Sequence, residues 1–354
     1  MLILGIESSC DETAASVVHS GRDVRSNVIA SQDALHAEYG GVVPEIASRA
    51  HVERLIPVVE RALKEAGCQL KDLSAIAVGH RPGLIGSLLV GVAAAKALAW
   101  STRLPLIGVD HVQAHLYACA LDADPPPFPA LGLVVSGGHS HLYRCESPLD
   151  VACIGATIDD AVGEAYDKVG AMLNLPYPGG PRVDALAQTV ADEPDRYDFP
   201  VSRLSPGSLD FSFSGLKTAV LYAIRGVPEP GPDGPRFPRE FDDLADDDRA
   251  AIAASFQTAA CRAVVVKVRR AAQAAPTPYR SLLVGGGVSA NRRLRAELTS
   301  LAADEDLEIR LPKMRYCLDN AAMLAGLAYH RLAAGDVDDL ALQAAPSSAL
   351  APHA

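Results

Sequence analysis

Positive charge, aromatic side chains and paired cysteines are all scarce in this chain of 354 residues. Lysine and arginine number 32 against 43 aspartates and glutamates, a formal net charge of −11. Such a balance excludes generic attraction to nucleic acid, so any nucleic acid has to meet a local basic patch. Aromatics make up only 5 %, and the many alanines point to helix-rich packing instead. The seven cysteines (Cys10, Cys68, Cys119, Cys145, Cys153, Cys261, Cys317) are odd in number, scattered, and never spaced C-x-x-C. That excludes a disulfide framework or a zinc ribbon and leads us to expect reduced thiols in a cytoplasmic protein. No basic segment precedes the N-terminal apolar run, and Glu7 interrupts it, so it does not read as a signal peptide. The longest apolar stretch, residues 84–100, contains Lys96 and many small residues. It predicts a buried helix, not a membrane span.

What is present is 49 % hydrophobic residues, enough for one large domain or two lobes with a real core. Residues 131–143 read LGLVVSGGHSHLY: an apolar run, a Ser136-Gly137-Gly138 turn, and a second run. This predicts strand, tight turn, strand. Successive N–H groups in such a turn can wrap a phosphate, although ordinary hairpins use the same glycines. Residues 2–6 form a short apolar strand ending in the polar turn ESSCDET, and residues 14–18 resume the apolar pattern. Asp11 in that turn is either a solvent-facing loop residue or a neighbour of a metal or reacting group. Pro44 opens an amphipathic helix. Gly83 and Gly86 allow either backbone donation to an anion or close packing. Residues 281–291, SLLVGGGVSAN, are a strand, three glycines and a helix start, the shape of a nucleotide loop.

Three further features carry chemistry. Asp110 can cap a helix on which His111 and His115 stand four residues apart and so project from one face, the spacing of metal ligands. Pairs of this kind are also common by accident. A zincin would carry glutamate beside the first histidine, and this chain has Val112. Asp167 and Asp184 flank the Pro/Gly loop of residues 175–184, and such a carboxylate pair can hold ribose hydroxyls. Asp319 opens a helix, either as its N-cap or as a further metal ligand. Residues 227–248, rich in Pro and Gly and then acidic, read as a surface insertion. Arg292, Arg293, Arg295, Arg310, Lys313 and Arg315 form a candidate basic patch.

The motifs GIESSCDET (5–13), HAEYGGVVPEIASRAH (36–51), PGLIGSLLVG (82–91), DHVQAHLYA (110–118), VVSGGHSHL (134–142), DDAVGEAYDKV (159–169), YPGGPRVD (177–184), FSFSGLKTA (211–219), VGGGVSAN (284–291) and LDNAAM (318–323) together resemble the TsaD family, once called glycoprotease. The resemblance implies an α/β fold of the ASKHA superfamily, like actin, heat-shock chaperone ATPases and sugar kinases, with two related lobes around a nucleotide cleft. The two strand–turn–strand units would be the two copies. Expected boundaries are 1–108 plus about 325–345 for the N-terminal lobe, 109–324 for the C-terminal lobe, and a disordered tail at 346–354.

The resemblance also implies an activity that composition cannot show. This is transfer of threonylcarbamoyl from threonylcarbamoyl-AMP to N6 of adenosine 37 in tRNAs reading codons that begin with A. By resemblance, His111, His115 and Asp319 bind one divalent metal ion, iron (Fe2+) in the family's usual description with zinc (Zn2+) as the alternative. Val134, Val135, Ser136, Gly137, Gly138, Asp167, Gly180, Asp184 and Asn291 hold the acyl-adenylate. An inactive paralog (TsaB) and a small ATPase (TsaE) are the expected partners, and no membrane is involved. Asp11 is our candidate to assist loss of the N6 proton. Two departures from the family pattern stand out: Arg81 replaces a glycine before Pro82, and Val134 stands where the archaeal and eukaryotic branch has a ligating tyrosine. The competing functions are a small-molecule kinase of the same superfamily, a metal-dependent glycopeptidase, and an inactive nucleotide-binding scaffold. A kinase would hold Mg2+ through carboxylates and water, a peptidase would need a glutamate base beside the His pair, and the scaffold type lacks that pair.

Overall fold

Two five-stranded sheets of the same topology make up the framework. The computed structural model describes all residues except 191–195, 203, 231–233, 235, 242–243 and 351–354. In the first sheet β1 (Leu2–Glu7), β2 (Glu12–His19) and β3 (Asp23–Ser31) form an antiparallel meander, and β4 (Ala75–Arg81) and β5 (Leu106–Asp110) add in parallel, giving the order β3-β2-β1-β4-β5. The second sheet repeats this with β6 (Ala130–Val135), β7 (Ser140–Cys145), β8 (Val151–Ala156), β9 (Ser281–Gly285) and β10 (Glu308–Arg310), in the order β10-β9-β6-β7-β8. Both sequence-predicted hairpins are present, and they are the corresponding pairs. The central strands are covered on both faces, which is why β6 reads as an unbroken apolar run, every residue of it buried.

Ten helices fall among the described residues: α1 (Asp33–His36), α2 (Pro44–Ala66), α3 (Ile85–Thr102), α4 (His111–Tyr117), α5 (Val162–Met172), α6 (Gly179–Ala187), α7 (Ser214–Arg225), α8 (Asp246–Ala274), α9 (Arg292–Asp304) and α10 (Ala321–Ala333). Pro44 takes the first turn of α2 as expected. By length and composition α3 and α8 could cross a membrane, but α8 is buried almost along its length in the core of the second sheet. For α3 the expectation of a buried helix is only half met. One face lies on the first sheet through Leu88, Val92, Ala95 and Ala99, while Ile85, Leu89 and Trp100 are exposed. Gly83, Gly86 and Gly91 face Ser9, Ser48 and Ser8 so closely that a Cβ would collide, which favours close packing over anion binding there.

The short α4 is a wedge. Its Val112 and Leu116 join an apolar cluster with β6, β7 and β9, while Ala114 and Tyr117 join one with the first sheet and α10. Two cores therefore fix its rotation. Of the insertion at 227–248, its end is already α8. Before it, where 231–233, 235 and 242–243 lie outside the described residues, Glu229 and Arg236 exchange backbone hydrogen bonds and Arg225 lies over the rings of Phe237 and Phe241, 4.4 and 4.9 Å from their centroids.

Candidate functional site

The ends of β1, β5 and β6 and the start of α10 meet in one cleft. Asp110 caps α4 as predicted, its Oδ1 accepting from the amides of Val112 and Gln113 at 3.1 and 3.3 Å. That fixes His111 and His115 on the cleft face, both buried. Asp319 was expected to open α10, but Asn320 is the N-cap, accepting from Met323 N at 3.0 Å. The Asp319 carboxylate, left outside the helix, reaches His115 Nε2 at 3.1 Å and His111 Nε2 at 3.5 Å. One ligand atom from each of the three lies within 4.8 Å of the other two.

Glu7, which sequence reasoning passed over as a mere interruption of an apolar run, is fully buried, and its Oε2 accepts from His111 Nδ1 at 2.7 Å. A carboxylate on the far nitrogen holds the ring and turns Nε2 toward Asp319. Burial alone would depress His111, but the charges of Asp319 and Glu7 outweigh it and raise its pKa. Burial would likewise raise Asp319, but both imidazoles outweigh it and hold the carboxylate well below its usual range. His115 is lowered by burial and then by His111, and its Nδ1 is buried with no partner among the described residues. Two imidazole nitrogens and one carboxylate oxygen, in a field that attracts positive charge, are a fitting donor set for a divalent ion of borderline softness.

Around this trio stand two turns. Asp11 lies in the β1–β2 turn, near enough for its charge to be felt at Asp167 and Tyr177 across the cleft, and it feels Asp319 itself. Burial raises its carboxyl. Burial and then Asp11 raise the adjoining Glu12 to about 8. In the β6–β7 turn, Ser136 N donates to His139 O at 2.8 Å, so its N–H is committed. Gly137 and Gly138 have open space beside them, and no backbone partner of their amides is found among the described residues. Burial and then His141 hold His139, a residue the sequence reading did not single out, at about 3, so it is neutral.

The adenylate residues expected from the family divide by role. Val134 and Val135 are buried in the apolar clusters on either face of the second sheet, so only their backbone can face a ligand. Asp167 Oδ1 accepts from the amides of Gly179 and Gly180, at 2.8 and 3.3 Å, and so secures the start of α6. Asn291 caps α9 through Leu294 N at 2.9 Å, while its amide reaches Asp184 Oδ1 at 3.3 Å and Gln257 Oε1 at 2.8 Å. Asp184, Asn291 and the unanticipated Gln257 thus form one polar wall. The glycines of 285–287 serve packing first: a Cβ on Gly285 would strike the His115 carbonyl, and Gly286, at φ +88°, faces that of Val135. The predicted basic patch is largely spent internally. Arg293 pairs with Glu297, Arg310 with Glu308, Lys313 and Arg315 with Asp122, Arg292 donates to Gln188, and Arg295 donates to the Ser289 and Pro312 carbonyls.

Comparison with known proteins identifies the family and the fold. Residues 23–326 match the family described as TsaD, tRNA N6-adenosine threonylcarbamoyltransferase. A protein of that name from Trichlorobacter lovleyi is 49 % identical over 344 residues, covering 97 % of this chain and 95 % of the relative. Another from Rhodopirellula baltica is 47 % identical, covering 98 % and 96 %. Among solved structures, full-length HypF in its phosphate- and nucleotide-bound form aligns with a TM-score of 0.57 at 14 % identity, over 95 % of this chain and 47 % of that one. Component A of the Acidaminococcus fermentans (R)-2-hydroxyglutaryl-CoA dehydratase aligns at 0.51 and 11 %, over 94 % and 99 %. These two share the fold.

Proposed function

Because the chain belongs to the TsaD family, whose members are named for moving a threonylcarbamoyl group to N6 of a tRNA adenosine, we propose an assignment of that transfer to the residues of this cleft. The protein is an acyltransferase of tRNA modification. The proposal concerns the donor, threonylcarbamoyl-AMP, the acceptor, adenosine 37, and the residue roles. The observation that carries it is the convergence of His111, His115 and Asp319.

These three side chains would hold one divalent ion, Fe2+ by family likeness, and Glu7 would keep His111 oriented for it. Bound there, the ion would supply Lewis-acid stabilisation of the acyl-adenylate's oxygens. The rest falls to the chain. Gly180, Asp184 and Asn291, with the carboxylate of Asp167 behind them, form the wall for the adenosine part of the donor. The amides of Gly137 and Gly138 offer hydrogen bonds to negative charge developing on the carbamoyl oxygen. The N6 nitrogen forms a bond to the carbamoyl carbon, the carbon–oxygen bond to phosphate breaks, and AMP leaves with the electron pair. Asp11, its affinity for protons raised by burial, accepts the proton lost from N6.

The division into lobes, 1–108 with about 325–345 and then 109–324, is supported by α10 packing on the first sheet. The same reading includes a TsaB-type partner and a TsaE-type ATPase, in the cytoplasm. The exposed face of α2 and α3, with Val52, Ile56, Ile85, Leu89 and Trp100, supports a protein partner.

The test is a transfer assay with threonylcarbamoyl-AMP and tRNA, with metal content measured on the same samples. Asp11→Asn should bind the adenylate normally and transfer about a hundredfold more slowly. Unchanged turnover removes Asp11 from the mechanism. His111→Ala should lose both metal and activity, and full activity without metal overturns the assignment.

A further inference from the structure

The chain does not end with its last helix. After α10, residues 336–350 contain no helix and no ladder, yet they are held at many points. Residues 346–350, expected from the sequence to belong to a disordered tail, are held too, because Ser348, Ala349 and Leu350 find partners. Asp338 forms an antiparallel bridge with Leu106 on β5, and its carboxylate accepts from Gly108 N at 2.7 Å. Arg331 ties Asp336 and Asp338 together. Leu342 packs into the core of the first sheet, so close to Gly108 that a side chain there would collide with it. His80, at the end of β4, donates through Nδ1 to the Gln343 carbonyl at 2.9 Å and accepts at its own carbonyl from Ala345 N at 2.9 Å. The segment thus covers β5, the edge strand of the first sheet, as edges generally need. It then continues past the edge.

At its far end Ser348 Oγ donates to Asp110 Oδ2 at 2.7 Å, and Ala349 N approaches the same oxygen at 3.3 Å. Leu350 then packs against the buried cluster that joins Val112 and Leu116 of α4 to the second sheet. Asp110 is the residue whose other oxygen caps α4. One carboxylate is therefore shared: Oδ1 holds the start of the histidine-bearing helix, and Oδ2 is held by the tail. Arg81 Nε, 3.6 Å from Oδ2, is the remaining charge on it. A carboxylate gripped on one oxygen cannot rotate away from the amides it caps with the other.

We infer that residues 346–350 are a strap that positions α4, with Ser348 as the positioning residue that fixes Asp110 and through it the direction of His111 and His115. The inference rests on the metal reading of that pair only for its functional consequence. The grip itself is independent of any ion.

The experiment uses the full chain and four variants. These are Ser348→Ala, Ser348→Thr, the neighbouring exposed Ser347→Ala, and a chain stopped after Ala345, which keeps the edge cover on β5. Hydrogen exchange of the peptide spanning α4, measured without metal, should accelerate about fivefold at the Val112 and Gln113 amides in Ser348→Ala and in the shortened chain, the equivalent of a weakened cap. Ser348→Thr, which keeps the hydroxyl, and Ser347→Ala should exchange like the parent. In parallel, titration with Co2+ followed by its visible absorption should show a several-fold weaker dissociation constant in the same two variants that exchange faster. Exchange at the parental rate in the shortened chain overturns the strap. Faster exchange with unaltered Co2+ affinity overturns its link to the histidines. A parent chain that takes no Co2+ sinks the metal reading instead, and the exchange rates still decide the grip.

Discussion

The two hairpin turns occupy equivalent places in sheets of the same topology, yet their chemistry is opposite. The β1–β2 turn is acidic and packed from behind: Ser8 Oγ donates to the Ser87 carbonyl at 2.9 Å, and Glu7, Asp11 and Glu12 crowd around it. The β6–β7 turn carries no acid. It offers the open amides of Gly137 and Gly138, and its back is clamped by α5, where a Cβ on Gly163 would lie 2.5 Å from Ser136 O. One backbone pattern thus delivers negative charge to one side of the cleft and hydrogen-bond donors to the other. The pleat and register position a turn, and only the turn residues decide which charge it presents.

That contrast can be broken in graded steps. The largest effect belongs to the residues between the turns: His111→Ala should lower transfer at least a thousandfold and abolish stoichiometric metal, read by elemental analysis alongside the assay. On the acidic side, Glu7→Gln keeps the shape but weakens the hold on His111 Nδ1. Metal affinity should fall ten- to a hundredfold in a chelator competition, with melting temperature nearly unchanged. On the glycine side, Gly163→Ala should cost about 1–3 kcal/mol by overpacking in denaturant melts, whereas Gly137→Ala, with open space beside it, should leave stability as it was and affect transfer alone.

The smallest effect is one of pH. Burial, and after it Asp11, raise Glu12 from 4.5 to about 8. The folded chain then holds that proton more tightly than the unfolded one, so stability is complete below about pH 4.5 and declines as pH rises through 8. Glu12→Gln should flatten that decline between pH 6 and 9 in melting curves without metal. Across the cleft, His139 is neutral, at about 3, and its imidazole resonances should show no titration between pH 5 and 8.

Much of this was legible in the sequence because it was local. The hairpins show as apolar runs broken by Gly or by acids, the cap of α4 as an Asp before an apolar stretch, and the His pair as an i, i+4 spacing. What stayed hidden depends on distance. Glu7 looked like a flaw in a strand until His111 arrived above it from 104 positions further along. Asp319 reads equally as a cap or as a ligand, and only the Asn320 side chain bonding Met323 N frees it for the second role. The six cations after residue 291 look like a patch because the groups that occupy three of them lie far away in the chain: Asp122 for Lys313 and Arg315, Gln188 for Arg292. Gln257 sits in mid-helix, where no spacing marks it, and it matters through the distant side chains it meets, Asn291, Tyr166 and Asp184.

His115 and Asp319 are separated by 204 positions. During synthesis the α4 imidazoles therefore leave the ribosome long before the carboxylate that faces them. A product released between those two positions holds all five strands of the first sheet and both histidines, yet it lacks the third member of the trio. Whatever the trio does is closed to such a fragment.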